Sequence, residues 1–120
     1  MSEPVEARYQ AILKRYWGYD SFRPLQLDAI KSIASGQDTL VLMPTGGGKS
    51  IIYQVPTLAS TGVCIVITPL IALMKDQVDR LRKHRILAEA IHAGRSHREI
   101  DRILDNCIYG DVKFLYISPE

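Results

Sequence analysis

Apolar residues first recur at helical spacing over residues 5–17, where Val5, Tyr9, Ile12, Leu13 and Tyr16 share one face and Gly18 ends the run. Pro24 then stands just inside the start of a second helix over 25–35, with Leu27, Ile30, Ile33 and Ala34 inward and Gly36 as its stop. Beyond Gly36 the period changes. Residues 39–43 are a short apolar run bounded by turn-forming segments, the pattern of a buried strand. A helix over 49–58 follows, which Pro56 bends or shortens. Residues 63–67 make a second buried run. The next helix covers 70–84, with Leu70, Leu73, Met74, Gln77, Val78 and Leu81 along one side. A third strand spans 86–91. Ser96 and Glu99 form a capping box for a helix through about Cys107, and a fourth strand spans 112–117. Ser118, Pro119 and Glu120 look like the opening of one more helix.

Strands alternating with helices imply right-handed crossovers and a parallel sheet. Strands covered on both faces should be almost wholly apolar, as 41–43 and 63–67 are. Ligands of such sheets bind beyond the carboxyl ends of the strands. That rule lines up residues 44–49, 68–70 and 118–120 on one rim. The last strand is not followed by its helix, which is the pattern of a truncated domain.

Composition adjusts this picture only slightly. Hydrophobic residues make up 47% of the 120 and charged ones 23%, an ordinary globular balance. No apolar run reaches membrane-spanning length, and the start lacks the basic, apolar, small-residue progression of a secretory leader. Cys64 and Cys107 have no metal spacing; Cys64 reads as a small core residue, and a cytoplasmic setting fits. A net charge of +2 does not mark a nucleic-acid binder. Arg80, Arg82, Lys83, Arg85, Arg95 and Arg98, however, stand against the single acid Glu89, a cluster able to meet phosphates. On charge alone, a solvated helix end plus loop is the stronger explanation.

The main chemical signal is Met43-Pro-Thr-Gly-Gly-Gly-Lys-Ser50, between an expected strand and an expected helix. That is the setting of a phosphate-binding loop. Gly46, Gly47 and Gly48 allow the backbone N–H groups to turn inward around an anion, and the helix start behind them adds partial positive charge. Lys49 would reach the β- and γ-phosphates, Ser50 would ligate Mg²⁺, and Thr45 would supply a small polar contact. One departure is visible: the position six before the lysine, glycine in the strict pattern, is Met43.

Upstream, Trp17-Gly-Tyr-Asp-Ser-Phe-Arg-Pro-Leu-Gln26 offers what a purine requires. Tyr19 and Arg23 give stacking surfaces, and the Gln26 amide both donates and accepts, which matches the edge of adenine. A plainer alternative makes Trp17, Tyr19 and Phe22 an aromatic core cluster and Gln26 a surface helix residue. Farther along, Thr68, Pro69 and Leu70 end a strand and open a helix whose free N–H groups can hold a phosphate, with Lys75 as a further cation. In the bland alternative, Leu70, Leu73 and Leu81 simply pack. His92 follows the third strand with no partner that would make it a base.

These segments together resemble the opening motifs of the RecQ helicase family: residues 13–26, the glycine loop, Thr68-Pro-Leu-Ile-Ala-Leu-Met-Lys-Asp-Gln-Val78 and Tyr116-Ile-Ser-Pro-Glu120. The resemblance covers nearly the whole chain, with Trp17 where the family often has Phe. It implies a three-layer RecA-like P-loop NTPase domain, with a helical adenine-recognition lead over 1–36 and the phosphate-loop α/β core over 37–120. It further implies that Tyr19, Arg23 and Gln26 hold adenine, that Lys49 and Ser50 act on ATP and Mg²⁺, and that Thr68, Pro69, Leu70 and Lys75 touch single-stranded DNA. The implied activity is ATP-dependent 3′ to 5′ unwinding of duplex DNA in recombination and repair. The water-activating acids, a second RecA-like domain and the accessory zinc-binding domains would lie outside this sequence, so the chain alone is expected to be inactive. The competing classes are another P-loop module, such as a small kinase or signalling ATPase, and a non-enzymatic DNA-binding fragment.

Overall fold

The computed structural model describes residues 3–43 and 48–119, with side chains from Glu6 onward. The chain divides into two compact units, Met1–Thr61 and Gly62–Glu120.

The first unit is helical. Helix α1, Glu3–Trp17, buries Tyr9 and Leu13, one turn apart on the same face. It ends where Gly18, at φ 79°, donates its N–H to the carbonyls of Leu13 and Lys14. Helix α2, Gln26–Ala34, buries Ala29 and Ile30, and α3, Lys49–Ala59, packs against both with Ile51, Ile52 and Val55. Glu6 and Lys31 pair across α1 and α2, but a partly exposed ion pair contributes under about 1 kcal/mol. Each fully buried aliphatic side chain contributes about 1.5–3 kcal/mol, so packing dominates.

Two expectations change in this unit. Helix α3 is not shortened by Pro56 but runs through it to Ala59. Proline removes the donor that the Ile52 carbonyl would have used. One residue on, the Thr57 hydroxyl donates to the Tyr53 carbonyl at 2.7 Å. Residues 39–43 form no strand. Val41 and Met43 lean on the helical core while Leu42 is 84% exposed, so the alternation of a strand is present. A strand also needs a neighbouring ladder for its backbone groups, and this segment has none among the described residues.

The second unit is α/β. It runs β1 Cys64–Ile67, α4 Ile71–Lys83, β2 Ala88–Ile91, α5 His97–Tyr109 and β3 Phe114–Ile117. The sheet is parallel with order β1-β3-β2, and Phe114 stands level with both Cys64 and Ala88. The path from β1 to β2 crosses β3, and the path from β2 to β3 returns. Right-handed crossovers in opposite directions put α4 and α5 on opposite faces, which makes three layers.

Coverage is uneven. Phe114, Leu115 and Tyr116 of central β3 are buried, yet Ile65 and Ile67 of edge strand β1 are 61% and 69% exposed. The expected two-sided burial of 63–67 therefore fails within this unit, because both helices pack on β2 rather than β1. Cys64 is correspondingly half-buried rather than core, and both cysteines are free. Helix α4 buries Met74, Val78 and Leu81, leaving Leu70 and Leu73 exposed against expectation. Leu70 is the cap outside the helix, and Leu73 sits one position round from the buried stripe. The capping box is present: Ser96 Oγ accepts the Glu99 N–H at 3.1 Å.

Candidate functional site

The candidate nucleotide site belongs to the first unit, and its described centre is Gln26. Arg23, Pro24, Leu25 and Gln26 form a tight turn closed by the Gln26 N–H donating to the Arg23 carbonyl at 3.1 Å. Leu25 adopts φ 75° and ψ −24°, so the turn has type II geometry with proline at its second position. Pro24 thus lies ahead of α2 rather than within its first turn. The third position of such a turn ordinarily takes glycine, and a leucine there carries about 1–2 kcal/mol of strain.

What holds this turn is the side chain that follows it. Gln26 Oε1 accepts the Arg23 N–H at 2.7 Å, and Gln26 Nε2 donates to the Gly48 carbonyl at 3.1 Å. Gln26 is 2% exposed, which excludes the surface-residue alternative. An amide has two N–H donors and two acceptor lone pairs. Among the described residues, these two bonds leave one donor and one acceptor of the amide, a complement to the donor–acceptor edge of adenine.

Gly48 is the other end of the link. It caps α3 at φ 82° and ψ 34°, and a Cβ built there would overlap Gln26 Nε2. The backbone sign therefore favours glycine, and any larger residue would displace the Gln26 amide. Lys49 and Ser50 follow as the first two residues of α3, Lys49 exposed and Ser50 half-buried. Their turn leaves N–H groups without intrahelical acceptors. Thr45, Gly46 and Gly47 lie outside the described residues.

The aromatic alternatives separate residue by residue. Trp17 and Phe22 pack against the helical core, whereas Tyr19 is 54% exposed and outside it. Lys14 Nζ meets Asp20 Oδ1 at 2.7 Å beside Tyr19 and, mainly by that hydrogen bond, holds the Asp20 carboxyl below its ordinary range. Arg23 is exposed and lines a depression of about 360 Å³ with Phe22, Pro24, Leu25 and Asp28; Tyr19 and Gln26 do not.

Mg²⁺ keeps several waters and binds through one or two protein oxygens plus substrate phosphates. The Ser50 hydroxyl at the start of α3 fits that pattern. No group of three or more His, Cys, Asp or Glu that could hold a metal occurs among the described residues.

The second unit carries the candidate nucleic-acid rim. Thr68 follows β1, and its Oγ1 accepts the Leu70 N–H at 3.3 Å, shaping the entry to α4. Leu70 gives α4 no side-chain cap, so the helix start keeps unsatisfied donors. Pro69 and Lys75 are exposed. Ser118 follows β3 and donates its N–H to the Ile91 carbonyl at 2.9 Å; its side chain is buried, so it does not present itself as expected. Glu120 lies outside the described residues. The basic cluster is divided by the topology. Arg80, Arg82, Lys83 and Arg85 lie at the sheet end where β2 begins, while Arg95 and Arg98 lie beyond its carboxyl end. Arg80 pairs with Asp76, Arg82 with Glu89 and Arg95 with Glu99.

The family of DEAD/DEAH box helicases matches residues 23–120. The chain is similar to the ATP-dependent DNA helicase RecQ of Bacillus subtilis, at 47% identity over 114 residues, covering 94% of this chain and 19% of that protein. For RecQ of Haemophilus influenzae the identity is 44% over 110 residues, with 92% and 18% covered. For RecQ of Synechocystis it is 44% over 108 residues, with 90% and 23% covered. The chain thus spans about a fifth of the length of these curated relatives.

Proposed function

Because the chain belongs to the DEAD/DEAH box helicase family, we propose that it is the ATP-binding part of a RecQ-like, ATP-dependent 3′ to 5′ DNA helicase. The observation that carries this is the Gln26 amide, bridging the turn at Arg23 and the glycine that opens α3. Residues 1–36 then act as the base-recognition lead and 37–120 as the phosphate-loop core. Tyr19 and Arg23 offer faces to the adenine ring, and Gln26 reads its edge with its remaining donor and acceptor. The N–H groups at the start of α3 and, outside the described residues, those of Thr45, Gly46 and Gly47 would bind the phosphates together with Gly48, and Lys49 would neutralise their charge. The Ser50 hydroxyl would hold Mg²⁺, which when bound shields the phosphate oxygens and stabilises charge developing during transfer.

On the second unit, Thr68, Pro69, Leu70 and Lys75 would contact the backbone of single-stranded DNA without reading its sequence. Such a protein works against DNA in the cytoplasm; no helix among the described residues is long and apolar enough to cross a membrane. The test is nucleotide titration by fluorescence with the wild type and Lys49→Ala. Loss of ATP affinity with an unchanged circular dichroism spectrum is expected, and retained affinity refutes the assignment. Guanine and adenine nucleotides should also differ, since Gln26 complements adenine.

A further inference from the structure

Tyr19, one of the faces offered to the base, lies in the connection between α1 and α2, residues 18–25. That connection is fixed at both ends. At its start, the Gly18 N–H donates to the Leu13 and Lys14 carbonyls. Toward its finish, Phe22 packs against the helical core and the Arg23 N–H donates to the Gln26 amide. Between these points, residues 19–22 make no backbone–backbone hydrogen bond among the described residues. The Tyr19 ring is exposed and outside the core, so core packing does not orient it either.

One side-chain tether does reach this stretch. Lys14, in the last turn of α1, donates through Nζ to Asp20 Oδ1 at 2.7 Å. The bond ties the chain beyond Tyr19 back to the helix before it. Gly18 and Asp20 thus anchor the backbone on either side of Tyr19 and restrict the directions open to its ring. Folding gains little from the tether, because the two side chains are 61% and 86% exposed and such pairs are weak. A bound base gains more. A loop that must be ordered during binding costs affinity, and a loop ordered beforehand does not.

We propose that Lys14 and Asp20 are positioning residues for the nucleotide base: their ion pair holds the segment around Tyr19 so that the ring face is set before the base arrives. This rests on the reading of Tyr19 as a stacking surface for adenine. Both residues act through Tyr19, and neither contacts the nucleotide.

The experiment is fluorescence titration with two probes, ATP and inorganic tripolyphosphate, which has no base. The proteins are wild type, Asp20→Asn, Lys14→Gln, the double variant, the charge-swapped pair Lys14→Asp with Asp20→Lys, Tyr19→Ala and Glu6→Gln. Asp20→Asn and Lys14→Gln should each weaken ATP binding by about two- to fivefold, the range open to an exposed pair. Their affinity for tripolyphosphate and their melting temperatures should match wild type. The double variant should bind ATP no more weakly than either single one, and the swapped pair should recover affinity. Glu6→Gln removes the ion pair with Lys31 on the same helix and should bind both probes as wild type. If Tyr19→Ala weakens ATP binding while the Lys14 and Asp20 variants bind ATP as wild type, the positioning role is wrong and the stacking role of Tyr19 survives. If those variants weaken both probes equally, the pair acts on charge or fold rather than on the base, and the proposal is likewise overturned. If Tyr19→Ala binds ATP as wild type, both readings fall.

Discussion

Replacing Gly48 with alanine tests the link at the centre of the nucleotide site. Gly48 sits at φ 82°, where an alanine carries about 1–2 kcal/mol of strain. The new methyl would also overlap Gln26 Nε2 and push the amide from the Gly48 carbonyl. The displaced amide is then buried and unpaired, which costs about 1–3 kcal/mol. With the strain, Gly48→Ala should therefore destabilise the chain by about 2–5 kcal/mol. Denaturant unfolding of Gly48→Ala, Gln26→Ala and the double variant separates the two causes. With Gln26 already cut back to alanine, the steric part disappears and only the backbone strain remains. The two single effects should exceed the double effect by the displaced-amide part, about 1–3 kcal/mol. Additivity within about 0.5 kcal/mol would show that the Gln26 amide does not rest on Gly48, and the account of the site would fail.

Leu25 at φ 75° and Arg85 at φ 64° both occupy left-handed positions. Their side chains are exposed, so Leu25→Gly and Arg85→Gly should each stabilise the chain by about 0.5–1 kcal/mol after glycine's entropy cost, read as a higher melting temperature. Ser96→Ala removes the cap that accepts the Glu99 N–H, and should cost about 1 kcal/mol in a denaturant titration. The Glu99 carboxyl is held below its ordinary 4.5, first by the hydrogen bond from Arg95 and then by the Ser96 backbone and hydroxyl. Because the folded value is the lower one, this contribution is complete above 4.5 and fades as pH falls from there through the folded value. Melting temperature measured across that range should drop less steeply in Glu99→Gln than in wild type.

The helices were legible in the sequence because each carries its own signal. Apolar positions at helical spacing announce α1, α2 and α4, and Ser96 with Glu99 marks the start of α5 by a bond between residues three apart. Such information is local, and it survives whatever the rest of the chain does. Strands are different. Residues 39–43 have the apolar content and the alternation of β1, but a ladder requires a second segment at the right height, which no local pattern specifies. The same dependence explains the exposed Ile65 and Ile67. Their composition promises cover on both faces, while the layer that would provide it is decided by where α4 and α5 pack.

The candidate site divides along the same line. The glycines and Lys49 stand out because the chemistry of phosphate binding uses few residue types at fixed spacing. Gln26 with Tyr19 and Arg23 offers the chemistry of purine recognition, but an amide at the head of an amphipathic helix is ordinarily solvated, and its burial is not written in the neighbouring residues. Its significance comes from a partner 22 positions away, the carbonyl of Gly48. That partner can approach because Gly48 has no side chain, and it is turned correctly because Gly48 takes a positive φ. Two features that are separate in the sequence, a glutamine after proline and leucine and the last glycine of a loop, therefore make one structural unit. A base bound at the amide and phosphates bound at the loop would each act on the same hydrogen bond. Hence a substitution at either end should alter nucleotide affinity even where it leaves Lys49 and Ser50 untouched, and Gln26→Ala should weaken binding of a triphosphate that lacks any base.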